Sequence, residues 1–109
     1  MLVIPVTKAE MLDKFQKPYY GYTQFQGKLQ PIVYIRSDLP KRVYESVLVH
    51  ETQHVNDNAF LDGRVWYWEF RAYKAQAKAD FIGMSQTVWM SLTDPERIKL
   101  YLKRVFIRF

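Results

Sequence analysis

The two histidines of this chain stand four residues apart, in His50-Glu51-Thr52-Gln53-His54, and there are no others. Residues at that spacing lie one above the other on a single helix face. Two imidazoles so placed can grip one metal ion, and the pattern matches the H-E-x-x-H signature of zinc sites. Glu51, one residue on from His50, projects beside such an ion, where its carboxylate can take a proton from a bound water. The plainer alternative is a helix whose two histidines merely face core or solvent. The apolar neighbours Val43, Val47, Leu48, Val49 and Val55 favour a buried helix and hence the site.

A catalytic zinc takes three protein ligands and keeps one open position. The chain has no cysteine and no third histidine, so the third ligand must be a carboxylate. Glu69 is the best candidate. It lies in Trp66-Tyr67-Trp68-Glu69-Phe70-Arg71-Ala72-Tyr73, a stretch free of Gly and Pro and rich in helix formers. Ala72, one turn on, is small enough to let two helices approach around a metal, and Tyr73 could hydrogen-bond a ligand. The rivals are Asp57, which at the helix end caps or orients, and Asp62, in a loop. The alternative for Glu69 itself is a surface ion pair with Arg71 or Lys74.

These residues need elements to position them. Pro40 inside the first turn, with Ser37 or Asp38 as cap, starts the histidine helix, and Asn56-Asp57-Asn58 ends it, giving a helix at about 40–57. A second helix is expected over 64–84. Thr7 and Glu10 form a capping box for a short helix from Thr7 to Phe15. Tyr19–Gln26 and Pro31–Arg36 read as strands joined at Gly27-Lys28, a hairpin feeding the metal helix. Pro31 suggests that residues 32–36 are an edge strand able to take up an extended peptide. Thr93-Asp94-Pro95-Glu96 signals a last helix. The fold class is α+β: a small antiparallel sheet or hairpin on the histidine helix, the glutamate-bearing helix and a C-terminal helix.

Over residues 31–84 the chain resembles the gluzincin branch of zinc metallopeptidases, on the strength of His50-Glu51-Thr52-Gln53-His54 and of Glu69-Phe70-Arg71-Ala72. It is similar to their minimal forms, the minigluzincins, and to small phage-encoded or ImmA/IrrE-type peptidase domains. The resemblance implies a zincin-like fold, Zn2+ held by His50, His54 and Glu69, and Glu51 as the general base of an endopeptidase. It departs at Tyr73, where thermolysin-like members carry an aspartate that orients a histidine. Tyr34, Tyr67 and Tyr73 are the candidates for stabilising the transition state. The alternative function is a catalytically silent or latent zinc-bound module that binds peptide or protein.

At 109 residues and 49% hydrophobic content the chain reads as one globular domain. An aromatic share of 17% gives a small core large side chains to bury. The absence of cysteine and of a leader or apolar span fits a cytoplasmic protein with no membrane partner. A net charge of +5, crowded toward Arg97, Lys99, Lys103, Arg104 and Arg108, favours acidic partners or nucleic acid only weakly, and the plainer reading is a solvated face of a C-terminal helix.

Overall fold

The first helix starts where Thr7 and Glu10 satisfy each other's backbone. Thr7 Oγ1 accepts from the Glu10 N–H and the Glu10 carboxylate from the Thr7 N–H, both at 3.1 Å. That is the capping box expected from sequence. The structure, a computed structural model, describes residues 1–59, 65–96, 98 and 99. Strand β1 (Leu2–Val6) leads into helix α1 (Lys8–Phe15), then β2 (Gly21–Gln26), β3 (Leu29–Arg36), α2 (Lys41–Asp57), α3 (Val65–Ala79) and α4 (Phe81–Thr93). Among the described residues the architecture is α+β, four helices around a three-stranded sheet of order β1-β3-β2.

The sheet is mixed, not antiparallel. β2 and β3 form the expected hairpin, turning at Gly27 with φ 63°, but β1 adds to β3 in parallel from Leu2↔Ile32 to Val6↔Arg36. β3 is therefore the central strand, and the reading of residues 32–36 as an edge is overturned. Pro31 is tolerated because it precedes the first residue paired with β1 and falls at the irregularity between Gln24 and Gln26 on β2. The edges are β1, where Pro5 needs no ladder donor, and β2. Alternation along β3 divides the core. Val33 and Ile35 pack with Tyr20, Leu39, Val43 and Val47 against α2, and Tyr34 packs with Val6, Met11 and Phe15 on the α1 face.

Helix α2 occupies the span read for it, with a different start. Pro40 is itself the capping position and offers no side-chain bond. The Asp38 carboxylate goes instead to Arg36, whose Nε and Nη2 bind it at 2.9 and 2.7 Å while Nη1 donates to Pro18 O at 3.2 Å. This buried guanidinium ties the approach to β2 onto β3. The hydrogen bond from Arg36 holds the Asp38 carboxyl below its ordinary value of 3.8. A depressed carboxylate stabilises the fold at neutral pH and loses that contribution as pH falls through its folded value. Asp38→Asn should therefore flatten the acid limb of stability below about pH 4, read as denaturation midpoint against pH.

The helix expected over 64–84 is broken in two. Asp80 is extended, with φ −161° and ψ 94°, and its carboxylate is held by Arg42 of α2 at 2.7 and 2.9 Å. That cross-link turns the chain, so α4 folds back beside α2. Gly83 permits the close approach, since a Cβ there would lie 2.5 Å from Asp80 Oδ2 and 3.4 Å from Ser46 Cβ. Beyond α4, Asp94, not Thr93, caps the next turn by accepting from the Glu96 N–H at 3.0 Å. Thr93 closes α4 by donating to Trp89 O. The expected C-terminal helix beyond 99, its basic residues apart from Lys99, and Asp62 lie outside the described residues. No helix among those described is long and apolar enough to cross a membrane.

Candidate metal centre

Helices α2 and α3 bring together the three side chains singled out as ligands. His50, His54 and Glu69 place their donor atoms within 4.8 Å of one another. His50 Nε2 lies 3.1 Å from one Glu69 oxygen and His54 Nε2 lies 2.9 Å from the other. The two rings are nearly perpendicular, with centroids 4.8 Å apart. Ala72 makes this approach possible, being fully buried at the α2–α3 contact. A surface pairing of Glu69 with Arg71 is ruled out, because Arg71 binds Asp57.

The ring of His50 is fixed by a residue that the sequence reading missed. Gln76 Oε1 lies 2.6 Å from His50 Nδ1, and Gln76 Nε2 donates to Ser46 Oγ at 2.8 Å. In the orientation in which the Gln76 amide donates to Ser46, its oxygen faces His50, and Nδ1 then carries the proton and donates. Nε2 is left to face Glu69. A carboxylate aimed at two imidazole Nε2 atoms calls for positive charge at their common focus, either protons on the rings or one cation. The N/N/O donor set is one that zinc accepts, and the ligand atoms lie within 4.8 Å of one another, against about 3.4 Å for tetrahedral bonds near 2.1 Å. The donor chemistry fits a divalent ion, and small side-chain movements would close the three groups on it.

The electrostatics agree in direction. Burial would raise the Glu69 carboxyl, but hydrogen bonds and charge from His50 and His54 overcome it and hold the group at about 2. Burial likewise opposes protonation of His50, yet Glu69, Glu51 and Gln76 together raise it above its ordinary value. Glu51 moves the other way. It is buried, and desolvation raises its carboxyl despite a hydrogen bond from Thr23 and the nearby histidines. A carboxylate lifted in this way is a better proton acceptor near neutral pH.

Thr23 and Gly21 of β2 complete the surroundings of Glu51. Thr23 Oγ1 donates to Glu51 Oε2 at 2.5 Å. A Cβ on Gly21 would sit 2.6 Å from Val47 Cγ1 and 2.9 Å from Glu51 Cγ, so only glycine allows β2 to lie this close to α2. Gly21→Ala should cost about 1–3 kcal/mol by overpacking, measured as a loss in chemical denaturation free energy.

The two supporting residues read from sequence both lie at the edge of the cluster. Tyr73 contacts His50 through its ring, edge-on with centroids 4.7 Å apart, while the hydrogen bond to that histidine comes from Gln76. Asp57 neither caps α2, which ends at left-handed Asn58, nor partners a histidine. Its carboxylate takes both Nε and Nη2 of Arg71, at 3.0 and 3.1 Å, and so pins α2's last turn to α3 two residues from Glu69. His54 Nδ1 is buried without a partner among the described residues. Tyr34 is removed from the site altogether, on the α1 face of the sheet.

Beside the cluster runs an open groove of about 820 Å³, lined by β2 from Gly21 to Phe25, by His50, Glu51, His54, Glu69 and Tyr73, and by Trp68. Of the residues missed from sequence, Gln76 left a signal. It shares a helical stripe with Glu69 and Ala72, and Ser46 shares one with His50. Thr23 left none, since it reaches Glu51 only through the packing of sheet on helix. Comparison with protein-family models, curated proteins and solved structures finds no match to this chain.

Proposed function

We propose that the chain is a zinc-dependent metallopeptidase of gluzincin type with a zincin-like fold, acting on short or flexible peptides. The observation that carries the reading is the convergence of His50, His54 and Glu69 on one point, with Glu51 alongside, in a groove floored by a sheet edge. His50 and His54 through Nε2, and Glu69 through its carboxylate, would hold Zn2+. When bound, zinc supplies Lewis acidity toward water and toward a peptide carbonyl.

The protein's own groups do the rest. Gln76 keeps the His50 proton on Nδ1 and so keeps Nε2 available as a donor. Thr23 holds Glu51 Oε2, which leaves Oε1 to take a proton from the attacking water and pass it to the leaving amine. The outer side of β2 pairs with no strand among the described residues, and its backbone can hydrogen-bond an extended substrate without regard to sequence. The groove's volume of about 820 Å³ is within the range of small-ligand pockets.

Gln76→Leu should weaken zinc binding about 10–100-fold, measured by competition with a chromophoric chelator. Gln76→Glu, which still accepts from Nδ1, should retain most of the affinity. Equal zinc affinity in the leucine variant would remove Gln76 from the site.

A second reading is a catalytically silent zinc-bound module that binds peptide. The short bond from Thr23 that occupies one oxygen of buried Glu51 favours it. A zinc-loaded protein that binds peptides in the groove and cleaves no member of a peptide library would establish this reading in place of the first.

A further inference from the structure

Helix α4 carries no charge on any side. Phe81–Thr93 contains no charged residue, in a chain of net charge +5. Gly83 and Thr87 are buried on the side toward α2. On the opposite side Phe81 is 65% exposed, Ile82 54%, Trp89 69% and Leu92 67%. A cluster of large apolar side chains in water marks a contact surface.

The order of residues on this face says what it contacts. Phe81, Ser85 and Trp89 are spaced four apart, so two large rings flank one small residue symmetrically. Ser85 Oγ donates to Phe81 O at 2.9 Å, which satisfies the hydroxyl within its own helix. The centre of the face therefore offers close backbone approach and brings no unpaired donor with it.

We infer that this face binds the same face of a second copy, as an antiparallel pair of α4 helices crossing at Ser85. A two-fold axis there sets Phe81 of each copy against Trp89 of the partner subunit, with Ile82 and Leu92 flanking, which is the self-complementarity an isologous contact requires.

Charge favours this occupant over others. Two copies of a basic protein repel, but an interface without charged residues opposes no like charges at contact. Helix α3 also exposes Trp66 and Phe70, but exposed Lys74 stands one turn from Phe70, and a symmetric contact there would bring lysine near lysine. A membrane-surface helix carries Lys and Arg on its polar side, and α4 has none. The four exposed side chains offer roughly 500 Å² per copy, so a symmetric pair could remove at most about 1,000 Å² from water through them, at the lower bound for a specific interface.

Sedimentation equilibrium on the intact protein tests the pairing. The wild type is expected at about 26 kDa, twice its 13.1 kDa mass, at tens of micromolar. Trp89→Lys alone and Phe81→Glu alone should each return the monomer mass, with helix content unchanged in circular dichroism because both side chains are exposed. The double variant should recover dimer, since each lysine then meets a glutamate across the axis. The inference is overturned if the wild type stays monomeric into the hundreds of micromolar. It is equally overturned if it dimerises regardless of either substitution, if the double variant fails to recover, or if the monomer instead binds neutral phospholipid vesicles through Trp89. None of these outcomes bears on zinc or on turnover.

Discussion

Protein purified without chelator is expected to carry about one zinc per chain, and His54→Ala to carry none. The size of the effect follows from the donor count. Three protein ligands converge, and removing one leaves a single imidazole and a carboxylate that, without the second histidine, is no longer spanned on both oxygens. His54 suits the test because its Nδ1 has no partner among the described residues, so truncation breaks no further hydrogen bond. A Glu69→Gln variant should also lose the metal, since a neutral amide replaces the charge that holds both rings. Elemental analysis of the three proteins reads the result directly. Absence of zinc from the wild type after reconstitution would return the cluster to a pair of histidines salt-bridged to Glu69.

Glu51→Gln is expected to keep its zinc and lose turnover by about 10²–10⁴-fold, the share that general acid–base catalysis supplies. Glutamine preserves shape and can still accept from Thr23 Oγ1, so the fold and the groove should survive. What it cannot do is take a proton. The Glu51 carboxyl is raised by burial, which suits it to that role and has no evident value in a structural residue. Zinc content and peptide cleavage measured on the same preparation separate the outcomes. A fully active, zinc-loaded Glu51→Gln protein would falsify the general-base assignment and leave the ligand set intact.

Much of the fold was legible because its signals are local. The Thr7–Glu10 capping box, the turn at Gly27 and the left-handed stop at Asn58 each depend on a few adjacent residues, and each element falls where they place it. The failures involve long-range choices. Met1–Val6 reads only as a short apolar run until β3, some thirty residues away, offers it a parallel edge. Residues 64–84 read as one helix because nothing local forbids it. The chain turns at Asp80, whose carboxylate is bound by Arg42, thirty-eight residues earlier.

The site divides along the same line. His50, Glu51 and His54 were determined by sequence alone, because helical spacing fixes which side chains share a face before any tertiary contact forms. Elimination left a carboxylate, the chain having neither cysteine nor a third histidine, and the helix-forming stretch with Ala72 one turn on singled out Glu69 among them. Tertiary structure alone decided that Gln76 holds His50, that Thr23 holds Glu51, and that Asp57 braces α3 through Arg71. Hydrogen-bond partners of buried groups are chosen by which elements pack together, and a side chain that reaches across from another element carries no periodic mark of its destination.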